Sequence, residues 1–219
     1  MKLRTALLTF SFNEPVCARA DRLRGFFATH FGGFRLVHHH LDDNRLLYRT
    51  PLIQYKVVNR QPLVLGVNEG ADILRQIYEQ LQFIRIGQTD YRLEYKRLYL
   101  GEERFGESAG VHTYTFLTPW LALNEQNYQH YVCAGSGAAR RALLERILVG
   151  NILSLAKGLG YMVTAPIEAE IENYREVRTT LKGTPMLGFL GSFRVNFEIP
   201  EYFGLGKSVS RGFGTIGRL

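Results

Sequence analysis

The pattern of hydrophobic and polar residues at the start of the chain predicts a strand followed by a helix. Residues 3–12 alternate loosely and are rich in Leu, Thr and Phe, which is typical of a strand. The next apolar residues recur at helical spacing, namely Val16, Ala20, Leu23, Phe27 and Phe31. The pair Gly32-Gly33 predicts the end of this helix.

The rest of the first half continues this order. Residues 71–81 carry apolar side chains on one helical face, which predicts a second helix. Strands are expected at residues 34–41 and 51–58 before this helix, and as one long or paired strand over residues 83–100 after it. The order strand, helix, strand, strand, helix, strand is that of the split ferredoxin-like fold.

The second half repeats the order less regularly. It begins with an apparent strand at residues 113–121, followed by a small polar segment at 124–130 and a strongly helical run at 138–159. Further strands are expected at residues 161–171, 174–182 and 188–199. We therefore expect an α+β protein of two tandem ferredoxin-like (RRM-like, βαββαβ) domains, residues 1–108 and 109–219, of which the second is irregular.

Residues 204–219 form a glycine-rich stretch that contains cations and hydroxyls but no acid. Glycine lets backbone N–H groups turn toward one anion, so this composition suits a phosphate. Two nucleotide motifs fail on context: Glu201 stands where a P-loop has its first glycine, and only Arg218 and Leu219 follow Gly212-x-Gly214-x-x-Gly217. A polyanion is expected instead, bound by Gly204, Gly206, Lys207, Ser208, Ser210, Arg211, Gly212 and Gly214.

The amino-acid composition indicates a cellular compartment and a class of binding partner. A formal charge of +7 and a pI near 9.5 permit a nucleic-acid partner. Cys17 and Cys133 form neither a disulfide framework nor a metal-ligand spacing, which fits a reducing cytoplasm. No segment approaches the roughly 20 apolar residues that span a bilayer, so no membrane partner is expected.

The triple histidine at residues 38–40 is the sharpest reactive feature. On a strand, His38 and His40 would share one face and His39 would lie on the other. Three interpretations stay open: hydrogen-bonded structural imidazoles, a zinc site that lacks a third ligand, and general acid–base catalysis. Acid–base catalysis would suit RNA cleavage by the ribose 2′-hydroxyl, with Tyr48 or Lys56 stabilising charge on the phosphate.

Basic residues on two predicted helices are further candidates for RNA contact. Arg22 lies on the first helix, between the residues of its apolar stripe, and Arg140 and Arg141 open the long helix of the second half. Such residues can track a phosphate backbone, although a solvated helix face carries the same pattern.

Together these motifs resemble the CRISPR-associated repeat-processing endoribonucleases, a branch of the repeat-associated RNA-binding superfamily. The resemblance covers nearly the whole chain. It rests on His30-Phe31, His38-x-His40, Tyr48 followed by Pro51-Leu-Ile-Gln-Tyr-Lys56, Val67-Asn-Glu-Gly70, Leu144–Leu153, Gly188–Phe193 and the glycine-rich stretch. One departure is Thr50, which stands where the family has an aromatic residue.

The resemblance implies tandem ferredoxin-like domains and metal-independent cutting of a CRISPR precursor transcript within each repeat. It places His38 and His40 in the catalytic histidine region, with Tyr48 as an accessory residue, and implies neither a cofactor nor a metal. The expected partner is CRISPR repeat RNA, with effector-complex subunits or a second copy of the chain as further candidates. The alternatives are a non-catalytic RNA-binding subunit of a CRISPR effector complex and, third, a zinc-dependent hydrolase.

Overall fold

The computed structural model describes residues 1–12, 19–38 and 50–219. These residues divide into two compact units. The N-terminal unit contains Lys2–Arg104 and, from the far end of the chain, Val209–Gly212. The C-terminal unit contains Met1, Phe105–Ser208 and Phe213–Leu219. Each unit is therefore built from stretches of chain that are distant in sequence.

The N-terminal unit has the predicted ferredoxin-like topology. Its elements are β1 (Lys2–Ser11), α1 (Ala20–His30), α2 (Arg35–His38), β2 (Ile53–Val58), β3 (Gln61–Val67), α3 (Glu69–Gln80), β4 (Phe83–Ile86), β5 (Thr89–Arg92) and β6 (Tyr95–Arg104). Four strands form an antiparallel sheet in the order β2-β3-β1-β6, and β4 and β5 form a separate hairpin. The order of the elements confirms the βαββαβ prediction, although the second of its two middle strands is β3, which was not predicted, and the strand expected at residues 34–41 does not serve as the first.

The core of this unit follows the two periodicities read from the sequence. Alternate residues of β1 are buried, and apolar residues at helical spacing on α1 and α3 cover them. The buried set includes Ala6, Leu8 and Phe10 of β1, Leu23 and Phe27 of α1, and Leu74 and Ile77 of α3.

The strand predicted at residues 34–41 is wrong for the part that the structure describes. Residues 35–38 form the short helix α2, because the chain continues to turn after α1: the Phe34 N–H donates to Phe31 O at 3.1 Å and the Val37 N–H to Phe34 O at 3.0 Å. Val37 is 1% exposed, so core packing outweighs its strand propensity. The argument that a strand puts His38 and His40 on one face therefore does not hold for His38.

The C-terminal unit has the same strand order with one helix fewer. Its elements are β7 (Gly106–Phe116), α4 (Glu125–Cys133), α5 (Gly137–Gly158), β8 (Ala169–Leu181), β9 (Thr184–Glu198) and β10 (Ile216–Arg218). The sheet order is β10-β7-β9-β8, which repeats β6-β1-β3-β2 of the first unit. Where α3 precedes the last strand of the first unit, the glycine-rich stretch precedes β10, so the second domain is irregular as predicted.

Three segments of the C-terminal unit differ from their predictions. The strand predicted at residues 113–121 begins earlier, at Gly106, and ends at Phe116. Residues 124–130 belong largely to the helix α4, whose first turn is capped by the Asn124 side chain accepting from the Asn127 N–H at 2.7 Å. The strand predicted at residues 161–171 begins only at Ala169, after a stretch without regular structure.

Among the helices of the described ranges, none combines the length and the apolar character that crossing a bilayer requires.

Candidate nucleic-acid interface

The glycine-rich stretch is a packed segment held by backbone hydrogen bonds. Gly204 and Thr215 form an antiparallel bridge, and the Leu205 N–H donates to Gly214 O at 2.9 Å. Gly214 has φ +61°, and a Cβ there would overlap the Leu205 carbonyl. The Gly214 N–H in turn donates to Pro119 O at 2.9 Å. This glycine therefore permits a close approach of two chain segments.

The fold changes the role expected of several predicted RNA-binding residues. Gly204, Gly212 and Gly214 are buried, and Gly206 is half-buried. The N–H groups of Lys207, Gly212 and Gly214 donate to carbonyls of the protein, so they are not the free donors that the phosphate-binding interpretation assumed. Of the predicted RNA-binding residues in this stretch, Lys207 is exposed and Ser208, Ser210 and Arg211 are half-buried.

The N-terminal unit contains a cleft of about 440 Å³ between α1 and the β4–β5 hairpin, which we call the α1 cleft. Cationic and aromatic side chains dominate its lining, which includes Arg22, Phe26, Thr29, His30, Arg85 and Arg211. Arg211 comes from the glycine-rich stretch, whose residues 209–212 pack on α1 and β2 of this unit. The cleft thus brings together Arg22 and Arg211, two of the residues that the sequence predicted for RNA contact.

The charges around this cleft favour an anion. Burial lowers the pKa of Arg24, and the nearby positive charge of Arg211 lowers it further. Three arginines line the cleft against one acid, Asp21, and Arg85 is matched by Asp90, its Nη2 donating to Asp90 Oδ2 at 2.7 Å. Arg211 lines the cleft whereas Arg24 does not, and a phosphate bound at Arg211 would relieve part of the repulsion between their guanidinium groups.

His30 is a cleft residue that the sequence analysis did not select as a site residue. Its exposed imidazole stacks on Phe26 with ring centroids 5.1 Å apart and planes 15° apart, and meets the Phe31 and Phe83 rings edge-on. The aromatic contacts fix the ring at the cleft wall. The sequence feature that indicates His30 is its place in the last turn of an arginine-bearing helix.

The predicted catalytic residues are only partly placed. His38 ends α2, and His40 and Tyr48 lie outside the described residues. The assignment of these three residues to catalysis therefore stays a prediction.

Lys56, predicted to contact RNA, is fully buried on β2. Its Nζ donates to Gln54 Oε1 at 3.0 Å, and Gln54 Nε2 donates to Pro51 O at 3.2 Å. Burial lowers the pKa of the Lys56 ammonium to about 7. Gln54 and Lys56 share one face of β2, and both side chains are interior.

Replacing Lys56 with Met is expected to flatten the dependence of stability on pH. The folded-state pKa is about 7 and the ordinary value is 10.5, so between these values the folded protein binds fewer protons than the unfolded chain. The free energy of unfolding should therefore rise with pH across this window, by at most about 1.4 kcal/mol per pH unit. Below a pH of about 7, Lys56 is charged in the folded protein, and its buried charge has its largest destabilising effect. In that range Lys56→Met should be more stable than the wild-type protein.

Denaturant unfolding followed by circular dichroism between about pH 7 and about pH 10 measures this slope. Lys2→Met, at an exposed position in the same unit, serves as the control and should keep the wild-type slope. Equal slopes for Lys56→Met and wild type would contradict the prediction.

The two arginines of α5 that were predicted to contact RNA lie near the start of that helix. Arg140 is half-buried, with its guanidinium carbon 5.2 Å from the centre of the Tyr131 ring. Arg141 is exposed, and its Nη1 donates to Ile171 O at 2.8 Å. Both arginines lie in the C-terminal unit, which also carries Lys207.

Within the described ranges, no three or more side chains of the types His, Cys, Asp and Glu are grouped so that they could hold a metal ion. The ring nitrogens of His112, in the C-terminal unit, both have partners: Nε2 lies 2.9 Å from Ser108 Oγ, and Nδ1 lies 2.7 Å from Arg218 Nη2.

Comparison with known proteins covers both halves of the chain. Residues 1–104 match the Cas6b N-terminal domain and residues 106–219 match the Cas6b C-terminal domain. An uncharacterized protein of Methanocaldococcus jannaschii is 44% identical over 117 residues, which are 53% of this chain and 79% of that protein.

Solved structures agree with these matches. A crystal structure of Cas6b is 32% identical and superposes with a TM-score of 0.89, and one of the CRISPR RNA processing endoribonuclease Cas6b is 31% identical with a TM-score of 0.79; both alignments cover 100% of each chain. Thermus thermophilus Cas6 is 13% identical with a TM-score of 0.58, covering 99% of this chain and 98% of that one, and shares the fold. The chain belongs to the Cas6b family of CRISPR RNA processing endoribonucleases.

Proposed function

We propose that this enzyme cuts CRISPR precursor RNA once within each repeat, without a metal ion, and leaves a 2′,3′-cyclic phosphate. The observation that carries the proposal is the match to Cas6b domains along the whole chain, with full-length superposition on an endoribonuclease of that family. The cationic cleft at α1 supports it, because a cleavage site must hold a phosphate between donors.

The proposed reaction is an internal transfer. A general base takes the proton of the ribose 2′-hydroxyl, the 2′-oxygen attacks the adjacent phosphorus in line, and the bond from phosphorus to the 5′-oxygen breaks. A general acid protonates the departing 5′-oxygen. His38 and His40 are our candidates for these proton transfers, Tyr48 is an accessory residue, and Arg22 and Arg211 balance the charge of the phosphate.

His30 enters this proposal as a further candidate for proton transfer. It lines the same cleft as Arg22 and Arg211, so a phosphate held by these arginines would lie within the cavity that the imidazole faces. Thr29, one residue earlier on α1, supplies a hydroxyl to the same lining.

Cleavage of labelled repeat RNA in EDTA tests the proposal directly. We expect wild type to give one cut and a product ending in a cyclic phosphate. His38→Ala, His40→Ala or the double variant should lose at least about a hundredfold in rate, since general acid–base help is typically worth that much. His30→Ala is assayed in parallel, and His112→Ala, in the other unit, is the matched control that should cut normally.

Two results would contradict the proposal. A requirement for added divalent metal would contradict the metal-independent scheme. Tight binding of the repeat without any cut by wild type would favour the RNA-binding subunit of an effector complex instead.

We further propose repeat RNA as the partner of the basic surfaces, with effector-complex subunits and a second copy of the chain as additional partners. Light scattering of the protein with and without repeat RNA distinguishes one copy from two per RNA.

A further inference from the structure

The C-terminal unit contains a cleft of about 760 Å³, which we call the α4 cleft. It lies between α4, the start of α5 and the β8–β9 hairpin, and Lys207 of the glycine-rich stretch forms part of its wall. The residues that carry the argument are Tyr128, Tyr131, Arg140, Glu176, Arg178 and Lys207. A cavity of this size lies in the range of small-ligand sites.

One wall of the α4 cleft is a fixed polar arrangement. Tyr131 is 2% exposed, and its hydroxyl donates to Glu176 Oε1 at 2.7 Å. The Arg140 guanidinium lies over the Tyr131 ring. Arg140 Nε is buried and has no hydrogen-bond partner among the described residues. A buried donor without an acceptor is costly, so the position of Arg140 at this wall carries an energetic cost.

The charges of the cleft favour an anionic ligand. Arg140, Arg178 and Lys207 line it, against Glu125 and Glu176. Glu176 is already bonded to the Tyr131 hydroxyl. Lys207 is held at the wall because its backbone N–H donates to Leu121 O at 3.2 Å, while its side chain is exposed.

A second cleft of about 530 Å³ adjoins the first, and both are lined by Leu123, Asn124 and Lys207. The second cleft adds His130 and Arg146 to the cationic lining. Lys207 therefore lies between the two cavities. In this position it could contact a phosphate of a nucleic-acid strand that passed from one cavity to the other.

The remaining wall offers an apolar surface for a base. Tyr128 is 45% exposed and Val132 51% exposed on α4, with Met186 and Leu187 half-buried on the β8–β9 hairpin. An exposed aromatic ring beside cations is the usual platform for an unpaired base, because every base has a flat face and a neighbouring phosphate.

We propose that the α4 cleft holds one unpaired nucleotide of the RNA, with its base against Tyr128 and its phosphate between Arg178 and Lys207. The site would anchor the repeat on the C-terminal unit, apart from the α1 cleft proposed for cleavage. The inference rests on the proposed function only in taking RNA as the ligand.

The test measures the affinity of a labelled repeat RNA whose scissile 2′-hydroxyl has been removed, so that binding is seen without cutting. Tyr128→Ala should weaken binding on the order of tenfold, through loss of stacking, whereas Tyr128→Phe should bind as wild type does. Arg178→Ala should weaken binding and lower the slope of log affinity against log salt by about one. Arg104→Ala, an exposed arginine of β6 outside the cleft, is the control for general loss of charge.

A scan of abasic sites along the repeat identifies the bound nucleotide. Removing the base at one position of the repeat should weaken RNA binding by the wild-type protein. It should not weaken binding by Tyr128→Ala any further, since the same contact is lost in both cases. Because Tyr128 and Arg178 are exposed, circular dichroism should show both variants folded.

If Tyr128→Ala bound every RNA of the scan as tightly as the wild-type protein does, the proposal would be overturned, while the proposed function of the enzyme would stand. Failure of wild type to bind or cut any repeat RNA would overturn the proposed function itself, so the two failures are distinguishable.

Discussion

Replacing the 2′-hydroxyl of the scissile nucleotide with hydrogen is expected to abolish cutting of repeat RNA by this enzyme while leaving the affinity for that RNA nearly unchanged. The reason is chemical: the 2′-oxygen is the proposed nucleophile, and no other atom of the substrate can close the cyclic phosphate. The proposed phosphate contacts do not involve this hydroxyl, so binding should persist.

Gel analysis and fluorescence anisotropy measure the two halves of this prediction on the same labelled RNA. A repeat with the deoxy substitution one nucleotide away is the control and should be cut at the wild-type rate. Continued cleavage at the original bond would mean that water attacks the phosphorus, and it would remove the need for an imidazole beside the ribose.

Replacing Gly214 with Ala is expected to lower the free energy of unfolding of the C-terminal unit by about 3 kcal/mol. Gly214 has φ +61°, which a side chain disfavours, and the new Cβ would overlap the Leu205 carbonyl. Relief requires the Leu205–Gly214 pairing to open, which would displace the stretch that positions Lys207.

Denaturant unfolding followed by the fluorescence of Trp120 measures this effect, because Trp120 is the single tryptophan of the chain and lies in the same unit. Gly150→Ala is the matched control. Gly150 lies within α5, and a Cβ there would meet nothing within 4 Å, so this variant should gain about 0.5–1 kcal/mol. Equal midpoints for wild type and Gly214→Ala would contradict the packing role of Gly214.

The elements that the sequence predicted well are those in which one face is buried. β1, α3 and α5 each show one repeating pattern, of period two or 3.6, and each appears close to its predicted bounds. α4 was missed because only Tyr131 of its nine residues is buried, so it has no apolar stripe to read. α2 was mistaken for a strand because the burial of Val37 depends on core packing that no local pattern reveals.

The candidate sites could be predicted only where the binding or reactive residues lie in one segment of the sequence. The glycine-rich stretch was evident from composition, yet composition could not show that its N–H groups bond inside the fold. The α1 cleft combines residues near positions 22–30, 83–87 and 211, which only the tertiary structure brings together. Lys56 resembled a surface cation in the sequence, but it lies in the interior because every residue of β2 except the half-buried Val57 is buried.

The division of the chain into two units also bears on the order in which the protein can be completed during synthesis. The N-terminal unit includes residues 209–212, so it cannot be complete when its first 104 residues have left the ribosome. The unit is completed only after residue 212 has been made. An enzyme truncated before residue 209 would therefore lack part of the unit that carries His30 and the α1 cleft, although every residue of α1 would be present.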